Sequence, residues 1–220
     1  MWKRRPSVRG MWSVRRSLRL GAVLALVCAC GLAWGQQKGE PGTFDFYLLN
    51  VVPSGEFCRI ADVGPGCTTR AGWLLHGLWA QRFDGTYPVF CAERGGPEHP
   101  EKNLDMTPDL ALLEHEWKKH GTCTTMSADA FFAAERKAFA AFVVPAAMDG
   151  LDTTVTLAPG AILGEFYTAN PGFPKGSLVL WCSKGKVTSV SACLGKDLKP
   201  VVCQGLKSCG DAVVSVGPVR

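Results

Sequence analysis

Alternating apolar and polar positions predict strands in this chain. Residues 43–52 are rich in aromatic and β-branched side chains, and Phe44, Phe46 and Leu48 occupy alternate positions, as in a half-buried strand. A Pro-Ser-Gly sequence at 53–55 ends it. A second apolar run covers 72–79, before a turn at Asp84-Gly85, and further strands are predicted at 153–157, 177–182 and 186–193.

Helical spacing dominates the middle of the chain. Thr107 and Pro108 form a helix start, and Leu110, Leu113 and Trp117 then recur at intervals of three and four, which predicts one buried face. A second helix is predicted from Ser127, as N-cap, to about 144. Strands and helices do not alternate regularly, so we expect an α+β fold: a single domain with a central, mostly antiparallel sheet flanked by helices and stapled by disulfides.

The N-terminal 35 residues resemble a secretory signal peptide. Residues 1–20 carry seven basic side chains and no acid, and 21–33 form an apolar run too short to span a bilayer. We expect cleavage before Gln36, a functional domain over 36–220, export to the periplasm or the medium, and no stable membrane association afterwards. Arg15-Arg16 leaves the twin-arginine and the general export routes both open.

Removal of this segment reverses the charge of the chain. The full sequence has 24 Lys and Arg against 19 Asp and Glu, a net charge of +5. Seven of the basic residues lie in 1–35, which leaves 17 against 19 and a net charge near −2. Bulk attraction to nucleic acid is therefore not expected, and any such attraction has to be local.

The cysteines indicate a disulfide framework. Ten are present, and two of them, Cys28 and Cys30, lie in the apolar segment. An even number in an exported chain implies disulfides, although the sequence alone leaves about 105 pairings of eight cysteines. The eight are Cys58, Cys67, Cys91, Cys123, Cys182, Cys193, Cys203 and Cys209.

Candidate chemistry is concentrated in two short segments, 73–79 and 115–123, which hold three of the four histidines. At about 100° per residue, Glu116, Lys119 and His120 share one face of a helix. His115 and His120 are five residues apart and would not converge on one ion, and the cysteines form no Cys-x-x-Cys hooks, so we expect no metal.

Two imidazoles, a carboxylate and a lysine are what metal-free cleavage of RNA requires. The 2'-hydroxyl needs a base, the leaving 5'-oxygen needs an acid, and the phosphorane-like transition state needs a cation. Dependence on the 2'-hydroxyl would make RNA, rather than DNA, the substrate.

Both segments are similar to the signatures of the ribonuclease T2 family. Residues 74–80 read Leu-Leu-His-Gly-Leu-Trp-Ala against x-x-H-G-L-W-P, and 115–123 match H-E-W-x-K-H-G-T-C at every fixed position. The likeness covers most of 43–205. It implies an endoribonuclease that cleaves single-stranded RNA to a 2',3'-cyclic phosphate and then a 3'-phosphate, with low base specificity. The implied roles are general acid for His76, general base for His120, transition-state stabilisation for Glu116 and Lys119, phosphate contact for His115, and base stacking for Trp79 and Tyr87.

The resemblance also implies a disulfide pattern. Cys91 pairs with Cys123 and Cys182 with Cys193, and the local pairs Cys58–Cys67 and Cys203–Cys209 then follow. We expect a monomer without a cofactor, whose partner is its RNA substrate.

Some positions depart from the family pattern. Ala80 replaces the usual Pro and Gln81 stands where some members carry Asp, so base preference is not transferred, and the second base site stays unassigned. Trp117 is predicted to be a core residue, Lys118 a solvated one, and His99 a loop residue outside the site. The alternative is a secreted RNA-binding or toxin-like family member whose main role is not catalysis.

Overall fold

A computed structural model describes residues 36–60, 72–107 and 110–219. The strands are β1 Gln36–Lys38, β2 Phe46–Pro53, β3 Trp73–Gln81, β4 Tyr87–Val89, β5 Val155–Leu157, β6 Leu178–Ser183, β7 Lys186–Leu194 and β8 Val214–Val216. The helices are α1 Ser54–Ile60, α2 Leu110–Lys119, α3 Ala128–Ala140, α4 Ala146–Asp149 and α5 Pro159–Ala169, with 3-10 turns at Pro100–Asn103 and Gly121–Cys123. The predicted signal peptide (1–35), Pro108 and Cys67 lie outside the described residues.

Six of the strands form one sheet. Its order is β3-β2-β7-β8-β5, and β6 also pairs with β7. All neighbours are antiparallel except β7 and β8, which meet in parallel at Lys186 and Ser215. β1 and β4 form a separate parallel pair. The predicted α+β class, with a mostly antiparallel sheet flanked by helices, is confirmed.

The two faces of the sheet have different roles. One face packs against α2, α3 and α5 to form the main core, which includes Leu49, Val51, Leu113, Trp117, Phe131 and Phe166. The other face carries a small apolar cluster of Phe46, Leu48 and Cys193, with Trp79, Trp181 and Leu206 packed beside it. This second face forms the floor of a groove.

A β-bulge interrupts β3 at His76. Asn50 of β2 pairs with Gly77, whereas the next residue, Val51, pairs with Leu75, so His76 is an extra residue without a partner in the ladder. Bulges of this kind bend a strand and re-aim a side chain, and they are frequent beside active sites. The bulge directs His76 to the groove.

The helix predictions are confirmed in part. Trp117 and Leu113 are buried, but Leu110 is 48% exposed and Leu112 is buried in its place, so the prediction for Leu110 is wrong. The helical angle of Leu110 is close to that of Trp117, so this side chain lies on the predicted face, but at the first residue of α2 no neighbouring element covers that face.

Helix α3 begins as predicted and ends earlier. Ser127 Oγ accepts a hydrogen bond from Ala130 N at 3.3 Å, which confirms the N-cap. The helix stops at Ala140 rather than near 144. The side chain of Asn170 binds both the N–H and the C=O of Val143, at 2.8 and 2.7 Å, and so satisfies backbone groups that a longer helix would have used.

Three disulfides join described residues, and they correct half of the predicted pattern. Cys91–Cys123 is confirmed. The other two are Cys182–Cys209 and Cys193–Cys203, so Cys182–Cys193 and Cys203–Cys209 are wrong.

The register of the β6–β7 hairpin explains the error. Cys182 lies beside the turn, opposite Val187, whereas Cys193 lies six residues beyond Val187 at the far end of β7. At roughly 3.3 Å per residue, the two sulfurs are too far apart to bond. Cys58 is disulfide-bonded, and its pairing with Cys67 stays a prediction.

None of the helices within the described ranges has the length and apolar character needed to cross a bilayer.

Candidate active site

A groove of about 580 Å³ lies on the second face of the sheet. It brings together all seven side chains that the sequence predicts for the site: His76, Trp79, Tyr87, His115, Glu116, Lys119 and His120. These side chains come from β3, from β4, and from the C-terminal part of α2 with the residue that follows it. Other side chains of β3 and α2 pack in the main core.

Glu116 lies at the centre of the site and is only 1% exposed. Trp79 Nε1 donates a hydrogen bond to its Oε2 at 2.6 Å, and His76 Nε2 lies 3.4 Å from its Oε1. Burial alone would raise the pKa of Glu116, but the contact with His76, the charges of His120 and His76 and the Trp79 hydrogen bond together hold this pKa below its usual value. The carboxylate is therefore ionised at neutral pH.

Gly77 makes the position of Glu116 possible. A Cβ atom at this residue would overlap Glu116 Oε2 and approach Trp79 Nε1 to 2.7 Å. The carboxylate is buried and held by the indole, so it has no free direction in which to move. The glycine of the His-Gly-Leu-Trp segment is thus needed for the close approach of α2 to β3.

His120 is buried, with 2% exposure, at the end of α2. The ring of Trp79 stacks on it with 5.0 Å between centroids and 23° between planes. Burial is the largest cause that lowers the pKa of His120, to about 3; the nearby charges of Lys119, His76 and His115 lower it further, and Glu116 opposes them. His120 is therefore neutral at physiological pH and able to accept a proton.

His76 is more exposed than His120 and also contacts Trp79. The two rings meet edge to face, with centroids 5.0 Å apart and planes at 83°. Phe57, from α1, packs against the imidazole at 5.3 Å and is a contact that the sequence did not predict. Two rings and the Glu116 carboxylate thus orient His76.

Lys119 and His115 also line the groove. Lys119 is partly buried, and its backbone carbonyl accepts a hydrogen bond from Phe90 N at 2.9 Å; His115 is exposed at the rim. Lys118 points away and pairs with Glu114 at 2.5 Å, as expected of a solvated face. His99 lies outside the groove, 3.4 Å from Glu101.

Trp79 already has a structural role among the candidate catalytic side chains. Its ring contacts both imidazoles and its N–H binds Glu116. Tyr87 lies 6.5 Å from His120, centroid to centroid, on the same side of the groove. Stacking of Trp79 and Tyr87 on a base stays a prediction.

Sequence reasoning missed Arg94, which fixes the segment after His120. Its guanidinium donates to the carbonyl oxygens of Met126, Gly121, Thr122 and Thr124 at 2.7 to 3.3 Å. It also lies 5.0 Å from the ring of Trp117. No pattern in the sequence marks this arginine, because its acceptors are backbone atoms some 30 residues away.

The half of the groove opposite α2 was also missed. Its lining includes Leu48, Asn50, Trp181, Ser189, Leu206 and Lys207. The alternation of Phe46 and Leu48 along β2 extends to Asn50 and could have placed that side chain in the groove. Trp181 and Lys207 had no such signal, because the disulfides that bring their segments together were paired incorrectly.

Among residues 36–60, 72–107 and 110–219, no cluster of three or more histidine, cysteine or acidic side chains is arranged to hold a metal ion.

Solved structures similar to this fold include ribonucleases and a ribonuclease-related protein. An RNase-related protein from Calystegia sepium has a TM-score of 0.65 over 80% of this chain and 98% of its own, at 20% identity. Ribonuclease MC1 from bitter gourd seeds has a TM-score of 0.61 over 79% of this chain and 99% of its own, also at 20% identity. At this identity the likeness is one of fold.

The sequence comparison points to one family. A model of the ribonuclease T2 family matches residues 44–151, just under half of the chain, and this range includes both histidine segments. A ribonuclease of Aeromonas hydrophila is 40% identical over 94 residues, 42% of this chain and 43% of that enzyme. Ribonuclease DdI of Dictyostelium discoideum is 27% identical over 80% of this chain and 86% of its own length. The chain thus aligns with less than half of the Aeromonas relative.

Proposed function

We propose that the protein is an exported endoribonuclease that cleaves single-stranded RNA by transesterification, without a metal. The observation that carries this proposal is that His120, buried and neutral, and His76 both contact the Trp79 ring in one groove, with the ionised Glu116 carboxylate 3.4 Å from His76. A base and an acid that flank one groove are what in-line displacement at a phosphodiester requires.

In the first step, His120 takes the proton of the 2'-hydroxyl while this oxygen attacks the adjacent phosphorus. The bond to the 5'-oxygen of the next nucleotide breaks, and protonated His76 gives its proton to that oxygen. The products are a 2',3'-cyclic phosphate and a free 5'-hydroxyl. Lys119 brings positive charge and His115 a hydrogen-bonding imidazole to the phosphate oxygens, and Glu116 orients His76.

In the second step, water replaces the leaving nucleotide and the two histidines exchange roles. His76, now neutral, takes a proton from water, the hydroxide attacks phosphorus, and His120 returns its proton to the 2'-oxygen. The product is a 3'-phosphate, and both histidines recover their starting protonation states. The step needs no other reactant.

Relatives support the choice of substrate. Solved structures of similar fold include RNase MC1 with 5'-UMP and RNase NT with 5'-AMP. The relatives also include an extracellular ribonuclease of tomato, which is consistent with export of this chain. Export and the monomeric state remain part of the proposal.

The test compares an RNA oligonucleotide with the DNA of the same sequence, each with excess EDTA, for the purified protein without residues 1–35. We expect cleavage of RNA alone, a cyclic phosphate intermediate, and no effect of EDTA. His76→Ala and His120→Ala should each lower kcat by roughly 10²- to 10⁴-fold.

His99→Ala is the matched control, because His99 is a histidine outside the groove, and it should retain full activity. Cleavage of DNA, loss of activity with EDTA, or activity that survives both active-site substitutions would each contradict the proposal.

A further inference from the structure

We infer that Glu135 is a positioning residue, which holds β3 at Leu78 and thereby fixes the candidate catalytic side chains that this strand carries. The inference rests on the proposed function, because it concerns the same reaction, but Glu135 itself lies outside the groove. Three observations carry it: the burial of the carboxyl on an apolar helix face, its contact with the backbone of β3, and its nearness to the charge of Glu116.

Glu135 occupies a position on α3 that would suit an apolar side chain. It is 2% exposed and shares a helix face with Phe131 and Phe132, which belong to the main core. Within the described part of the chain, no basic side chain forms an ion pair with Glu135, and its Oε1 has no hydrogen-bond partner. The neighbouring Arg136 pairs with Asp105 instead. Burial of a carboxyl in such a place costs free energy, so packing does not explain it.

The carboxyl of Glu135 binds β3 through one backbone group, because the N–H of Leu78 donates a hydrogen bond to it. β3 is the end strand of the sheet and pairs with β2, and an end strand has N–H groups that no strand accepts. The bulge at His76 also interrupts the β2–β3 ladder close to Leu78. Glu135 thus supplies, from a helix, an attachment where the sheet alone holds β3 weakly.

Leu78 lies where a shift of the backbone would disturb the site most. His76 precedes it by two residues, and Trp79 follows it directly. Gly77, just before Leu78, is where β3 approaches Glu116 too closely for a Cβ atom. A shift of β3 here would change the 3.4 Å distance between His76 Nε2 and Glu116 Oε1, and the 2.6 Å hydrogen bond from Trp79 to Glu116.

The charge states of the two buried carboxyls are complementary. Burial, and then the charge of Glu116, raise the pKa of Glu135 well above its usual value, while the Leu78 hydrogen bond and the charge of Arg136 oppose them. The pKa of Glu116 is lowered in spite of burial, by the two imidazoles and the indole around it. Glu135 can therefore hold β3 without placing a second negative charge beside Glu116.

Hydrogen exchange of the Leu78 amide tests the contact directly. Glu135→Gln keeps an acceptor at this place and cannot ionise, whereas Glu135→Met fills the space without an acceptor. We expect the Leu78 amide to exchange about tenfold faster in Glu135→Met than in Glu135→Gln, because one hydrogen bond no longer opposes local opening. The amide of Val190, on β7 inside the sheet, is the control and should exchange equally in both variants.

Kinetics on two substrates, an RNA oligonucleotide and a nucleoside 2',3'-cyclic phosphate, test the effect on catalysis. Near pH 5, where Glu135 keeps its proton, Glu135→Met should lower kcat about tenfold for both substrates with little change in KM, because the groups that move protons are slightly displaced. Glu135→Gln should keep kcat within about twofold of the unmodified protein. Glu165→Met, at an exposed position on α5, is the control and should leave kcat unchanged.

Melting curves separate positioning from packing. Glu135→Met replaces a buried carboxyl by an apolar side chain, so its Tm should not fall below that of the unmodified protein. A lower kcat at an unchanged or higher Tm therefore reports the position of β3 rather than unfolding.

Full kcat in Glu135→Met, or equal exchange of the Leu78 amide in the two variants, would overturn the inference. A folded Glu135→Gln as impaired as Glu135→Met would also overturn it. If Glu135→Met does not fold, Glu135→Gln decides alone: full kcat with a protected Leu78 amide supports the inference, and a lowered kcat contradicts it. If the unmodified protein cleaves neither substrate, the proposed function fails, while the exchange of Leu78 still reports whether Glu135 holds β3.

Discussion

The two walls of the groove are built in different ways. The catalytic wall, residues 115–126, is the end of a helix and the turn that follows, fixed by Arg94 and by Cys91–Cys123. The opposite wall, Trp181 with residues 203–209, is an irregular loop against β6, fixed by two disulfides. The groups proposed to move protons stand on regular structure, which holds geometry closely, whereas the opposite wall is a loop held by disulfides.

Among changes to the supports of the two walls, the largest effect should come from a methyl group added at Gly77, on β3 beside the catalytic wall. Gly77→Ala would push Glu116 from its position against β3, and displacement of a catalytic group by about 1 Å can cost roughly 10²-fold in rate. We expect kcat to fall about 100-fold for RNA and for the cyclic phosphate. Steady-state kinetics on both substrates would measure it.

Gly172→Ala is the control, because no atom lies within 4 Å of a Cβ there. Near-normal kcat in Gly77→Ala would show that Glu116 tolerates displacement.

Removing the anchor of one wall or of the other should have different effects on the two substrates. Cys193→Ser with Cys203→Ser should lower the free energy of unfolding by about 3 kcal/mol. It should also impair cleavage of RNA, which extends along the groove, more than hydrolysis of a small nucleoside 2',3'-cyclic phosphate, because only the opposite wall is released. Arg94→Met should destabilise to a similar extent, since hydrogen bonds to a charged group are worth about 1.5–3 kcal/mol, and it should impair both substrates.

Arg136→Met provides the control, because Arg136 pairs with Asp105 away from the groove. Denaturant unfolding and kinetics on the two substrates give the measurements. Identical substrate profiles for the two anchor variants would remove the distinction between the walls.

Glu135, on α3 behind the catalytic wall, should make stability depend on pH. Burial, and then the charge of Glu116, raise the pKa of Glu135 well above its usual value. The folded protein then keeps a proton that the unfolded chain loses above pH 4.5, so stability falls as pH rises towards the folded pKa.

Glutamine cannot ionise, so the advantage of Glu135→Gln should grow by about 1.4 kcal/mol per pH unit above pH 4.5. Glu165→Gln, at an exposed position, is the control. If the difference in unfolding free energy between Glu135→Gln and the unmodified protein is the same at pH 5, 6 and 7, the pKa of Glu135 is not raised.

The smallest effect concerns the pH profile of RNA cleavage. Because the pKa of His120 is about 3, its base form persists through mildly acidic pH, and kcat/KM should not fall between pH 7 and pH 5. In the unfolded chain His120 binds a proton near pH 6.5, whereas in the folded protein it stays neutral to about pH 3. The free energy of unfolding therefore decreases as pH falls below 6.5. Melting curves at each pH are therefore needed beside the rates, and an acid limb near pH 6.5 in a fully folded sample would contradict a depressed His120 pKa.

The catalytic wall could be predicted from the sequence, and the opposite wall could not. Glu116, Lys119 and His120 are close in sequence, and helix geometry alone gathers them. Trp181 and Lys207 meet only because β6 and a distant loop are joined by disulfides whose pairing depends on strand register. Leu110 shows a similar limit of prediction from sequence. Periodicity tells which face of a helix is buried, but not how much of the helix neighbouring elements cover.

The extra residue at His76 also fixes which side of β3 each residue occupies. Before it, Trp73 and Leu75 point to the main core; after it, Leu78 and Ala80 do, so the odd-numbered set gives way to the even-numbered set. Without the insertion, Trp79 would point into the core and Leu78 into the groove. Within the His-Gly-Leu-Trp segment, the alternation of core-facing and groove-facing side chains is therefore shifted by one residue. A one-residue deletion there would invert half of β3, so the segment's length is as essential as its residues.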